Sequence, residues 1–120
     1  MEIPELAELI WLFEAEPTAE FDDLEWPVGL FSFWLARGDQ AVSFSLDPTA
    51  GEAYISLYAG EHEHTHLGRI RRLDRLTVVR GPGGYEGLRL WPPDDTDEAI
   101  TLQTKPRISL SWNVKELGSW

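Results

Sequence analysis

The chain has no cysteine among its 120 residues, and its first lysine or arginine is Arg37. Without cysteine there can be neither a disulfide nor a thiolate metal site. That usage fits a reducing compartment. No apolar run approaches the roughly 18 residues that a membrane-spanning helix needs. The opening stretch, MEIPELAELIWLFEAEP, lacks the basic start and small-residue cleavage site of a signal peptide. The expected location is the cytoplasm. Lysine is scarce: eight of the ten basic residues are Arg.

What the chain has in excess is negative charge, −11 in all. Residues 1–36 carry nine acids, and the remaining 84 residues nearly balance, with twelve acids against ten bases. The excess therefore sits in the N-terminal segment. Such a chain repels nucleic acid and anionic lipid. It attracts basic proteins, with a strength that falls as salt rises. The plainer reading is an acidic surface that serves solubility. A length of 120 residues predicts one domain, and 42% hydrophobic residues predict a packed core.

Leu6, Leu9, Ile10 and Phe13 recur at helical spacing. Pro4 suits a first helical turn, and Pro17 cannot donate the next backbone bond. These features predict a helix over about 4–15. Residues 17–27 form an acidic connector in which Phe21, Leu24 and Trp26 are the apolar anchors. From residue 28 the period becomes 2. Val42, Phe44 and Leu46 alternate with Ser43 and Ser45. Ala53, Ile55 and Leu57 alternate with Tyr54, Ser56 and Tyr58. Leu88 and Leu90, Ile100 and Leu102, and Ile108, Leu110 and Trp112 continue the pattern. This alternation marks antiparallel strands buried on one face. The stretch VGLFSFWLAR is apolar at Phe31, Phe33 and Leu35 and also at Leu30 and Trp34, which predicts cover on both faces, with the helix as the second cover. Turn-rich breaks at 37–40, 47–52, 59–62, 81–85 and 92–98 leave about eight strands: 28–37, 40–47, 52–59, 63–70, 74–80, 85–91, 98–104 and 107–114. The expected fold is α+β and mainly β, an antiparallel meander over 28–114 folded as a sandwich or partly open barrel with one N-terminal helix.

All three histidines, His62, His64 and His66, lie in YAGEHEHTHLG at alternate positions. On a regular strand this puts them on one face. Neighbours on that face start roughly 7 Å apart and the outer two roughly 13 Å apart, whereas zinc–nitrogen bonds are about 2.1 Å. His62 and His64 are the candidate metal pair, but a third ligand would have to be a carboxylate. Leu67 pointing inward sends the histidines outward, with Gly68 hosting a bulge that returns Ile70 to the core. An exposed polar strand is the favoured reading, and no metal or cofactor is expected. Arg37-Gly38-Asp39 reads as a hairpin turn. GPGGYEG lacks the Gly-Lys-Ser/Thr of a phosphate loop, and DDTDE lacks the glycine and distal Glu of a calcium loop. The arginines at 69, 71, 72, 75 and 80 offset nearby acids or pair with the N-terminal segment. Six Trp raise a carbohydrate-binding reading, yet Trp11, Trp34 and Trp112 fall on apolar-patterned faces and are expected in the core. Trp91, Trp120, Tyr54 and Tyr58 remain free. No serine sits in a Gly-x-Ser-x-Gly elbow, so no catalytic residue is assigned.

The stretch VSFSLDPTAGEAYISLYAG, followed by RLDRLTVVRGPGGYEGLRL and ITLQTKPRISLSW, resembles small acidic β-rich proteins of actinobacteria without an assigned activity, some of which are immunity proteins that bind and neutralise toxins. The resemblance implies a cytoplasmic protein with no chemistry of its own, and it transfers no functional residue. The leading expectation is thus a non-enzymatic protein-binding module, an immunity protein or inhibitor offering an acidic surface to a basic partner such as a toxin. Glu14, Glu16, Glu20, Asp22, Asp23 and Glu25 are its expected interaction residues. The alternative is a small-molecule or metal-binding domain, or an enzyme, with a pocket between sheet and helix.

Overall fold

The computed structural model describes residues 1–20, 25–60, 62–93 and 99–111, excepting the side chains of residues 63, 64, 68 and 69. One helix, α1 (Leu6–Phe13), precedes strands β1 (Thr18–Ala19), β2 (Phe31–Arg37), β3 (Gln40–Asp47), β4 (Glu52–Ala59) and β5 (His62–Ile70). Then follow β6 (Arg75–Arg80), a 3-10 turn (Pro82–Gly84), β7 (Glu86–Trp91), β8 (Ile100–Lys105) and β9 (Ser109–Ser111). The strands form two antiparallel meanders in chain order, β1 to β5 and β6 to β9. One hydrophobic cluster takes in α1 and both sheets. The mainly β fold expected from the period-2 pattern is therefore the fold observed.

Each meander follows from its turns. Arg37 pairs with Gln40 across a two-residue loop, and Gly38 in that loop has φ +61, a conformation open to glycine at no steric cost. The loop between β3 and β4 is held by the Asp47 carboxylate, which accepts a bond from the Ala50 N–H at 3.1 Å. The sheets are also tied at their margins. Leu73 donates to the Gly51 carbonyl at 3.0 Å, and Glu2 bonds both Asp74 and Leu76 through its backbone. The N-terminus thereby adds a short parallel bridge to the edge of β6.

The helix is shorter than the expected span. Pro4 lies before the N-cap Glu5, and Glu14 ends the helix in the left-handed region with φ 60. Ala15 donates back to the Ile10 carbonyl at 3.2 Å, the bond of a Schellman ending. Termination thus precedes Pro17. Leu9, Leu12 and Phe13 are buried, and Phe13 stacks on Phe33 and Phe44 at 5.1 and 5.5 Å between centroids.

That contact corrects the two-sided reading of β2. The helix covers the face that already holds Phe31, Phe33 and Leu35, while Trp34 on the other face is 53% exposed. Trp11 points away from the core on α1 and is 44% exposed. Both tryptophans were expected inside; Trp112 lies outside the described residues. The ninth strand, β1, was not anticipated. It falls in the acidic connector and pairs with Phe31 and Ser32.

Candidate functional site

Strands β2–β4 and β6–β8 turn chemically different faces outward. Residues alternate in side-chain direction along a strand, so the registers fix these faces. On the first sheet, Ser32 lines up with Ser45 and Tyr54, Trp34 with Ser43 and Ser56, and Ala36 with Ala41 and Tyr58. Asp47 and Glu52 close one end of the face. No Lys or Arg occupies an outward position of β2, β3 or β4. On the second sheet, the outward rows are Arg75 with Trp91, Thr77 with Arg89 and Thr101, and Val79 with Gly87 and Gln103. That face carries arginines and no acid at those positions.

The first face is also aromatic. Trp34 and Tyr58 stand on strands separated by β3, yet their rings are 5.2 Å apart. The small side chains of Ala41 and Ser43 between them permit this contact, and Ala41 is buried beneath it. Ser32 and Ser45 share a hydrogen bond of 2.8 Å. The other exposed tryptophan differs. Trp11 has the Arg80 guanidinium 4.3 Å and the Lys105 ammonium 5.2 Å from its ring centre, cation–π contacts within the chain. Trp91, expected to be free, donates to the Thr77 hydroxyl at 2.8 Å and lies under Arg75.

Of the expected interaction residues, Glu14, Glu16, Glu20 and Glu25 are exposed, whereas Asp22 and Asp23 lie outside the described residues. Glu20 follows β1 and bonds through its N–H to the Leu30 carbonyl at 2.9 Å. The described start of the acidic connector therefore lies along the margin of the first sheet. Trp26 anchors its far end, edge-on to Phe31 at 5.0 Å. Glu14 is already engaged. Its carboxylate accepts a bond from Arg37 and has the Lys105 ammonium at 3.7 Å. The Arg37 hydrogen bond holds the carboxyl below its ordinary value, against a smaller opposing effect of partial burial. Lys105 reaches Glu86 as well, at 2.9 Å.

The histidines do not share one face as their spacing predicts. His62 pairs with Ala59 and His66 with Ser56. Ala59 and Ser56 are three residues apart in β4, so they belong to opposite faces. The cause is an extra residue in β5, where Tyr58 opposes Glu63 but Leu57 opposes Thr65. A single inserted residue reverses strand parity. The bulge expected near Gly68 is present too, since Ile55 opposes Leu67 and Ala53 opposes Ile70. His62 and His66 are exposed, and the Nδ1 of His66 lies 2.7 Å from the buried Ser56 hydroxyl. Among the described residues no three His, Asp or Glu converge on a metal-sized site; the side chain of His64 is not among them.

A cleft of about 370 Å³ opens between the two sheets. Gln40, Ala41, Leu57, Tyr58 and Thr65 line it from the first sheet, and Ile108, Ser109 and Leu110 from the stretch forming β9. No helix residue reaches it, so it is not the sheet–helix pocket of the alternative expectation. Among the described residues, no helix is long and apolar enough to cross a membrane.

No family model and no curated protein sequence matches the chain. Its fold, however, matches a solved chain of the contact-dependent growth inhibition toxin–immunity protein complex from Klebsiella pneumoniae 342. The TM-score is 0.75 at 19% identity, over 92% of this chain and 93% of that one. The likeness spans nearly the whole of both chains and is one of fold.

Proposed function

We propose that this chain is an immunity protein, a non-enzymatic module that binds a toxin and neutralises it. The observation that supports this best is the chain-long likeness to a component of a toxin–immunity complex. The charge agrees with it. A toxin that cuts nucleic acid needs a basic cleft, and a pre-folded acidic surface associates quickly with such a cleft and blocks it. Glu14, Glu16, Glu20, Asp22, Asp23 and Glu25 are the proposed acidic contacts, with Glu14 contributing what its bonds to Arg37 and Lys105 leave uncommitted. The partner is a basic protein, and the proposed site of action is the cytoplasm.

The test is co-expression with the products of the neighbouring genes, followed by a pull-down at low and then high salt. An immunity protein restores growth and captures the toxin, more weakly at high salt. Growth arrest caused by this chain alone would make it the toxic component instead. Failure to protect and to bind at either salt concentration would refute the reading.

A further inference from the structure

We propose that the toxin docks on the outward face of β2, β3 and β4, and that Trp34 is the central anchor, its ring stacking on an Arg or Lys side chain of the toxin. This rests on the immunity reading and adds the surface and the chemistry of recognition.

Three observations converge on that face. Trp34 is the most exposed large hydrophobic residue among those described, at 53%, although it sits within a strand paired to β3 along its full length. Its ring leans on Tyr58, yet half of the residue stays open to solvent. Trp11 shows the alternative: its ring is taken up by Arg80 and Lys105 of the same chain. An aromatic pair on a face without outward Lys or Arg on β2–β4 suits an incoming cation.

Charge selects the partner. The first sheet's outward face ends in Asp47 and is bordered by the acidic stretch at Glu20, whereas the second sheet shows Arg89 and Arg75, the latter 3.7 Å from the Asp74 carboxylate. A basic protein is steered to the first in preference to the second. Composition agrees: Trp and Tyr dominate binding hot spots, and the surrounding serines of β2, β3 and β4 supply short, adaptable hydrogen-bonding groups of the kind paratopes use. The acidic residues then act at the rim, governing association rate and salt dependence more than final affinity.

The experiment measures binding of the purified toxin that the co-expression test identifies to the parent chain and to Trp34→Ala, Trp34→Phe and Trp11→Ala. Thermal melting and sedimentation of each variant establish fold and oligomeric state. Trp34→Ala is expected to weaken binding by about 30-fold or more, the scale of a hot spot. Trp34→Phe keeps a smaller π-face and should lose roughly 10-fold or less, while Trp11→Ala should change binding by less than about threefold. A folded Trp34→Ala variant that binds like the parent overturns the proposal while leaving the immunity reading standing. So does a variant that merely dissociates a homodimer, which would assign the face to a second copy of this chain. A parent chain that binds no toxin overturns both.

Discussion

Arg37, the last residue of β2, bonds at once to the Glu14 carboxylate at the end of α1 and to the Thr104 carbonyl of β8. One side chain thus ties the helix and the two sheets together. Thr104 is fully buried, and its hydroxyl donates to the Glu86 carbonyl at 3.3 Å. Replacing Arg37 by Ala should cost about 1–2 kcal/mol, because a charged, partly exposed hydrogen bond to the Thr104 carbonyl is lost. Urea unfolding of the variant checks this.

Glu14→Gln should cost less, under about 1 kcal/mol at neutral pH, because the pair is half exposed and screened by solvent. Its pH dependence has a definite sign. The folded carboxyl titrates below its ordinary value of 4.5, so the stabilisation is present above that value and disappears as pH falls through the lower, folded one. Unfolding curves at pH 7 and pH 3 should therefore show a parent–variant gap that narrows in acid. A gap that stayed constant would count against this assignment.

Phe13→Ala should cost about 3–5 kcal/mol, the range for deleting a fully buried aromatic ring. Phe13 bridges Phe33 and Phe44, so its loss opens a void where α1 meets the first sheet. Trp11→Ala, two residues earlier, should cost only about 1 kcal/mol, since it removes exposed cation–π contacts. Denaturant midpoints of the two variants would separate these cases.

Gly87→Ala should destabilise by about 1–3 kcal/mol or more through overpacking. A Cβ there would lie 2.7 Å from the Leu102 carbonyl oxygen and 3.3 Å from the Gln103 Cα. Both are backbone atoms of the paired strand, so relief requires the β7–β8 ladder to spread. The place coincides with a shift in its register. Thermal melting of the variant measures the effect.

For the histidines, His62→Gln should change stability by no more than about 0.5 kcal/mol, as expected of an exposed substitution. His66→Gln should cost roughly 1 kcal/mol, because the buried Ser56 hydroxyl loses its partner. Zinc should leave the melting temperature of the parent unchanged, since His62 and His66 lie on opposite faces of the sheet. A zinc-induced rise abolished by His66→Gln would refute that expectation.

The sequence by itself determined the strands, and it did so best where apolar and polar residues alternate without interruption. The bounds 40–47 and 52–59 read from that pattern are those of β3 and β4. It also located the hairpin at Gly38 and the bulge near Gly68, because turn and bulge chemistry are properties of a few adjacent residues. Acidity along the N-terminal segment was legible in the same way.

Only the tertiary structure decided the rest. The division into two sheets depends on which strands fail to pair, and alternation within one strand says nothing of that. Trp34 and Trp11 were assigned to the core because apolar pattern shows which residues share a face, whereas burial depends on whether another layer covers it. Here α1 settles on the Phe33 and Phe44 side and leaves Trp34 open. The histidines were assigned to one face because their spacing is even, and one extra residue opposite Leu57 and Tyr58 separates His62 from His66. The sign difference between the outward faces arises only when residues distant in sequence, such as Glu20 and Asp47 or Arg75 and Arg89, are brought onto common surfaces by strand pairing. Each of these is a long-range relation, and no local pattern of side chains encodes it.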